Sequence, residues 1–150
     1  MPDLNESYGF NARRTHRAYD RLLNHYLSHH GIKTGYWYYL RLLWVEDGLS
    51  QKQLSDANNV AENTTALTLQ AMQRDGLVYR ERDLIDRRRW KVFLTDDARA
   101  LRVGIIHFAD EVNNFAIQGI SKADLVKWLK VSKLMAANLE KTFRMSNENG

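Results

Sequence analysis

Cysteine is absent from this chain of 150 residues. Disulfide bonds, thiolate nucleophiles and cysteine-based zinc sites are therefore excluded, and the usual mark of a secreted, oxidised protein is missing. No apolar run approaches the roughly 18 residues of a membrane-spanning helix, and the polar segment 1–14 lacks the apolar stretch of a signal peptide. We therefore expect a cytoplasmic protein with no membrane partner.

Proline and glycine are scarce as well, with one and eight residues. The single proline, Pro2, is expected to lie outside any element, and isolated glycines predict helices joined by short turns. The length suffices for one core but is short for two independent domains, so we expect one domain over 1–150. The net charge of +4 suits a polyanionic partner, although an ordinary basic protein has the same balance.

The spacing of apolar residues predicts four helices before any strand. The first runs from Phe10 to about His29, and the second, rich in aromatic residues, runs from Gly35 to Glu46. A third helix begins at Ser50, which forms an S-x-x-Q capping box with Gln53. It ends near residue 57 because two asparagines follow, and a fourth helical pattern then continues to residue 76.

The apolar period changes after the fourth helix. Residues 77–79 and 90–94 predict two short strands around a charged loop, and a long helix from Thr95 to about Gly119 follows. Ser121 opens a final helix, and the polar tail 146–150 is expected to be disordered. The fold class is therefore mainly α with a small β-hairpin (α+β).

Two short helices, a tight turn and a basic hairpin in succession form a winged helix-turn-helix. The segments GLSQKQL at 48–54, MQRDGLV at 72–78, DRR at 86–88 and LT at 94–95 resemble the MarR family of bacterial transcription regulators. The resemblance implies a MarR-like domain with a DNA-binding winged helix-turn-helix over 34–95. It also implies helical dimerisation regions over 9–30 and 96–145, and repression of nearby genes that a small effector relieves.

The fourth helix is the one that this architecture places in the major groove. Burial of Thr65, Leu69 and Met72 turns other side chains to the opposite face, where they could contact bases or phosphates. These DNA-binding candidates are Asn63, Thr64, Leu67, Thr68, Gln70 and Arg74. A solvated helix face has the same pattern, but an exposed Leu67 directly before a basic hairpin favours DNA reading.

The hairpin over 77–95 carries six basic residues against three acidic ones. Guanidinium groups suit phosphates and a narrow minor groove, and Asp86 is predicted to hold a neighbouring arginine in position. The predicted DNA contacts are Arg82, Arg87, Arg88 and Arg89. Local salt bridges could balance such a run, but three consecutive arginines exceed what Asp86 neutralises.

The terminal helices carry more apolar surface than a winged module can cover. We therefore predict a two-fold homodimer that reads an inverted-repeat operator in double-stranded DNA, with a monomeric helical cap as the alternative.

Aromatic side chains of the second helix lie close in sequence to arginines of the first. In similar proteins an effector cleft lies between such helices and the DNA module, and aromatic walls with arginines suit a planar aromatic acid. The effector-binding candidates are Arg13, Arg17, Tyr36, Trp37 and Tyr39. Packing of the aromatics in the core explains the pattern equally well, so both interpretations stay open.

Catalytic patterns are missing from the sequence. No nucleophile with a base, glycine-rich phosphate loop or carboxylate pair stands at a catalytic spacing, so we expect neither an enzyme nor a cofactor. His25 and His29 share a helix face, but no third ligand is identifiable and we predict no required metal. The alternative function is a winged-helix protein-interaction module without DNA binding, against which the arginine cluster argues.

Overall fold

The structure is a computed structural model that describes residues 3–148, so the expectation for Pro2 lies outside the described residues. The chain divides into two compact units, Met1–Val112 and Asn113–Gly150. The predicted division into one domain with a DNA-binding region and two dimerisation regions stays a prediction. Within residues 3–148, no helix combines the length and the apolar character needed to cross a membrane.

The elements confirm the predicted fold class, which is mainly helical with a small antiparallel sheet. They are a 3₁₀ turn (Leu4–Glu6), α1 (Tyr8–Ser28), α2 (Thr34–Val45), β1 (Leu49–Ser50), α3 (Gln51–Asn58), α4 (Glu62–Arg74), β2 (Val78–Arg82), β3 (Trp90–Leu94), α5 (Asp96–Ile105), α6 (His107–Ala116) and α7 (Lys122–Glu148). The first unit holds everything up to α5. The boundary between the units falls within α6.

The core of the first unit surrounds α2. Five of its twelve residues are buried: Tyr36, Trp37, Tyr39, Leu40 and Leu43. They belong to one apolar cluster with residues of α1, α3, α4, the sheet and α5. A helix that is buried on several sides explains why this segment is rich in large aromatic residues rather than amphipathic.

The capping box predicted at the start of α3 is present. The Ser50 hydroxyl accepts from the Gln53 amide at 3.2 Å, and the Gln53 side chain accepts from the Ser50 amide at 2.8 Å. The helix ends at Asn58, and Asn59 takes a left-handed conformation with φ of 52°. Asparagine tolerates this conformation, so the turn from α3 to α4 stays tight.

The sheet has the order β1-β3-β2 with antiparallel pairing throughout. Val78 lies opposite Leu94 and Arg82 opposite Trp90, while Leu49 of β1 lies opposite Val92. Strand β1 was not expected, because two residues show no alternation of their own and their partner strand lies far along the chain. We call β2, β3 and the intervening loop 83–89 the wing.

Two features of the C-terminal helices differ from the sequence prediction. The expected long helix is divided into α5 and α6 at Ile106. The backbone of Ile106 is itself helical, and its N–H donates to the Arg102 carbonyl at 3.0 Å. The first part of the predicted disordered tail, 146–148, is helical, because α7 meets no glycine or proline before residue 148 and continues to Glu148. Residues 149 and 150 of the predicted tail lie outside the described residues.

Candidate nucleic-acid interface

Helix α4 has one buried face and one exposed face. Thr65, Leu69 and Met72 are fully buried, as the helical period predicts. The predicted contacts on the other side are exposed except Thr68, which is half-buried: Asn63, Thr64, Leu67, Gln70 and Arg74. Leu67 keeps 68% of its surface exposed although it is apolar. The face therefore presents amide, hydroxyl, guanidinium and apolar groups side by side.

Hydrogen bonds join α4 to α2 near both ends of α4. The Tyr39 hydroxyl lies 3.1 Å from the Thr65 hydroxyl in the core. At the other end, the Tyr36 hydroxyl donates to Asp75 at 2.6 Å and accepts from Lys33 at 3.2 Å. This bond from Tyr36, together with the nearby Lys33 charge, lowers the pKa of Asp75 below its ordinary value. The exposed face is thus held at a set orientation.

An open groove of about 670 Å³ separates α4 from the wing. Its lining includes Leu67, Gln70 and Arg74 from α4, and Arg80 from β2. The Nε atom of Arg80 is buried and makes no hydrogen bond within the described residues. Sequence reasoning missed Arg80, although strand alternation from the buried Val78 places it on the same face of β2.

The loop of the wing is organised by Asp83. One of its carboxylate oxygens accepts from the amides of Ile85 at 2.7 Å and Asp86 at 3.1 Å, and the other lies 3.1 Å from the Lys91 ammonium. The two amide bonds, followed by the lysine, lower the pKa of Asp83. Sequence reasoning missed Asp83. An aspartate in a turn commonly accepts from the backbone amide two residues later, so its place at the start of the loop is the signal that indicates this turn.

Asp86 contacts two of the three consecutive arginines. Its two carboxylate oxygens lie 3.4 Å from the Nε atoms of Arg88 and Arg89, respectively. The side chain of Arg87 is exposed, and its carbonyl accepts from Arg82 at 2.6 Å. Arg82 also lies over the Trp90 ring, 4.6 Å from its centroid. The structure therefore brings the predicted wing residues together, while their DNA-binding role and the positioning role of Asp86 stay predictions.

Asp47 fastens the base of the wing to α5. One of its carboxylate oxygens accepts from the Leu94 amide at 2.9 Å and from the Gly48 amide at 3.1 Å. The other accepts from Arg99 at 2.8 Å, and this bond raises the pKa of that guanidinium. Gly48 has φ of +80°, and a Cβ there would lie 2.7 Å from the Phe93 ring, so the turn before β1 requires glycine.

The five effector candidates fall into two groups in the structure. Tyr36, Trp37 and Tyr39 are at most 4% exposed and belong to the core, whereas Arg13 and Arg17 are exposed on α1. No hydrogen bond or ion pair in the described part of the chain joins the two groups. A depression of about 400 Å³ in the same unit is lined by other residues, among them His30, Asp97 and Leu101. Effector binding by the five candidates stays a prediction.

His25 and His29 lie together, with ring centroids 5.1 Å apart. The Nδ1 atom of His29 lies 2.7 Å from the His25 carbonyl. Among residues 3–148, no three side chains of the metal-ligating types gather into a site.

A family model described as the MarR family matches residues 35–90, which run from α2 to the first residue of β3. The HTH-type transcriptional regulator TtmR of Methylorubrum extorquens is 33% identical over 85 residues. That match covers 57% of this chain and 44% of TtmR, so the chain matches less than half of the length of that relative.

Solved structures extend the likeness to most of the chain. A MarR transcriptional regulator from Methanosarcina mazei superimposes with a TM-score of 0.78 at 27% identity, over 89% of this chain and 96% of that one. BpsR of Bordetella bronchiseptica gives a TM-score of 0.82 at 20% identity, over 91% and 97% of the two chains. The second likeness concerns the fold alone. Residues 35–90 are therefore similar to the MarR family, and the fold is like that of the MarR regulator from Methanosarcina mazei.

Proposed function

We propose that the protein is a transcriptional regulator that binds double-stranded DNA and responds to a small ligand. One observation carries this proposal: the exposed face of α4 and Arg80 of the wing line one groove in one compact unit. A winged helix-turn-helix binds DNA with such a pair, because the helix enters the major groove while the wing reaches the backbone or the minor groove. The proposal includes no catalytic activity.

In this proposal α4 reads the bases. Asn63 and Gln70 have amide groups that pair with adenine edges, and the exposed Leu67 suits a thymine methyl group. Thr64 is free to approach a base or a phosphate, whereas the Thr68 hydroxyl already donates to the Thr64 carbonyl at 2.9 Å. Arg74 at the end of the helix suits a phosphate.

The arginines of the wing supply affinity rather than sequence discrimination. Arg87, Arg88 and Arg89 are exposed, and phosphate contacts from arginine carry no base information. Asp86 holds Arg88 and Arg89 in place and so lowers the entropy that these side chains lose on binding.

The working form is a homodimer on an inverted repeat. Helix α7 exposes large apolar residues along its length, including Trp128, Leu129, Leu139 and Phe143. Two-fold pairing would cover such residues, and a symmetric dimer presents two copies of α4 to successive major grooves.

The ligand that we propose is a small aromatic acid whose binding weakens DNA binding and so relieves repression. For BpsR, which shares the fold, regulation of DNA binding by 6-hydroxynicotinic acid is described. A ligand of this kind acts by favouring a dimer in which the two copies of α4 are wrongly spaced. A panel of aromatic carboxylates added to the DNA complex tests this part, and unchanged affinity across the panel would contradict it.

The DNA-binding part is tested by selecting fragments of the source genome on the purified protein. We expect recovery of inverted-repeat sequences, and an affinity that falls steeply with salt because phosphate contacts release counterions. A scrambled duplex of equal length and composition is the control. Absence of salt-dependent binding to any fragment would favour the protein-interaction module instead.

A further inference from the structure

Two adjacent apolar side chains stand at the tip of the wing. Leu84 and Ile85 are 95% and 97% exposed. Isolated exposed apolar residues are common, but a neighbouring pair in an otherwise charged loop leaves apolar surface in water at a free-energy cost. Nothing in the proposed phosphate contacts of the wing uses them.

The loop holds this pair outward. Asp83 accepts from the amide of Ile85 itself, at 2.7 Å. The Asp83 amide donates to the Arg89 carbonyl and the Arg89 amide to the Asp86 carbonyl, each at 2.9 Å, which closes the base of the turn. With its backbone fastened in this way, the tip does not turn its apolar side chains back against the protein. Leu84 and Ile85 are therefore presented to a partner.

The surroundings of the pair identify the chemistry of that partner. Arg82, Arg87, Arg88 and Arg89 flank the tip, so a partner must combine negative charges with apolar surface between them. The minor groove of DNA has this composition, since two phosphate rows border walls of deoxyribose. Proteins that bind there insert Leu, Ile, Phe, Met or Pro at base steps and bend the duplex.

We propose that Leu84 and Ile85 enter the minor groove as an apolar wedge while the flanking arginines contact phosphates on either side. This inference rests on the proposed DNA-binding function and adds a second kind of contact to it. Apolar contacts release no counterions, so the wedge contributes affinity that does not depend on salt. Flexible TA and CA/TG steps yield to a wedge at the lowest cost, so the tip favours duplexes that contain them.

The test compares Leu84→Ser/Ile85→Ser with the unmodified protein on two mixed-sequence duplexes, with and without a central TA step. Fluorescence anisotropy gives affinity across a salt series, and energy transfer between dyes at the duplex ends gives bending. On the TA duplex we expect the double variant to bind about tenfold more weakly and to bend the DNA less, with the salt slope unchanged. Arg88→Ala is expected to reduce the slope instead.

Val45→Ser is the matched control, because Val45 is an apolar residue 86% exposed on α2, outside the wing. We expect it to leave affinity and bending unchanged. The conservative variant Leu84→Met/Ile85→Met keeps apolar bulk and should retain most of the affinity. Circular dichroism checks that each variant is folded.

Equal affinity and bending for the double variant and the unmodified protein would overturn the wedge while leaving the DNA-binding function intact. A changed salt slope would assign the loss to displaced arginines and also overturn it. If the unmodified protein binds neither duplex but binds vesicles with anionic headgroups, the proposed function itself fails and the tip is a membrane contact.

Discussion

The hydroxyl of Tyr36 joins the core to the end of α4 through a single bond to Asp75. Replacing Tyr36 by Phe removes this bond while the buried ring remains, so we expect a lower free energy of unfolding at neutral pH. Because the bond lowers the pKa of Asp75, its contribution is present above the ordinary carboxyl pKa and is lost as the pH falls through the lowered value. Urea unfolding at pH 7 and at an acid pH below the lowered value measures this.

Tyr36→Phe and the unmodified protein should therefore differ in free energy of unfolding at pH 7, and the difference should become smaller in acid. Tyr26→Phe is a matched control, since Tyr26 is half-buried on α1 and its ring stacks on Phe108. An equal difference between Tyr36→Phe and the unmodified protein at both pH values would show that Asp75 gains nothing from the hydroxyl.

Arg80 is the second residue whose environment makes a prediction. Its buried Nε lacks a partner within the described residues, and its guanidinium borders the groove beside α4. We expect Arg80→Met, which keeps the length of the side chain, to weaken binding to every duplex and to reduce the salt slope by about one unit per subunit. Arg102→Met, at an exposed position of α5, is the control. Unchanged affinity in Arg80→Met would mean that the groove stays solvated in the complex.

Individual site residues differ in how far the sequence predicts them. The exposed face of α4 follows from helical period alone, so Leu67 and Gln70 could be placed beforehand. Identifying Arg80 as a groove residue required the position of the wing beside α4, and that position depends on long-range packing. The aromatic residues of α2 could serve in a core or in a cleft, and only their burial among other elements assigns Tyr36, Trp37 and Tyr39 to the core.

At the scale of elements, α4 and the wing should contribute separably to DNA binding. Arg87→Ala or Arg88→Ala should weaken binding to all sequences and reduce the magnitude of the salt slope by about one unit per arginine, or about two per dimer. Thr64→Ala or Leu67→Ala should cost roughly 1 to 3 kcal/mol at matching bases only. Salt titrations with selected and scrambled duplexes measure both effects.

The contrast between these two pairs of variants is the control. If both wing variants remain folded dimers and keep affinity and slope on both duplexes, Arg87 and Arg88 are solvated charges. If the α4 variants lose affinity equally on both duplexes, that face contacts the backbone rather than the bases.

Elements with local signals were the ones that the sequence predicted well. The start of α3 depends on a capping box within four residues, and the turn after it depends on asparagines, so both could be recognised without tertiary information. Strand β1 could not be recognised in this way, because it exists only through pairing with β3. The division at Ile106 also carries no local signal, since neither proline nor a capping residue marks it.

For the whole molecule, we predict a homodimer with little folded monomer at micromolar concentration. Helix α7 has 27 residues, about 40 Å at 1.5 Å per residue, and its apolar side chains are exposed over most of that length. Leu139→Glu/Phe143→Glu should shift the protein towards monomer or unfold it, while Lys141→Ala between them should not. Sedimentation velocity reports the state, and a stable folded monomer of the unmodified protein would contradict the prediction.

The hydrogen bond of the Leu94 amide to Asp47 makes the exchange of this amide with deuterated solvent sensitive to α5. The Leu94 N–H donates to the Asp47 carboxylate rather than to a strand carbonyl, so its exchange does not require the ladder between β2 and β3 to open. Arg99 of α5 holds the other oxygen of that carboxylate. Any ligand that moves α5 away from the wing should therefore speed exchange at Leu94 while the paired amides of β3 remain protected, which makes one backbone proton a readout of coupling between the two elements.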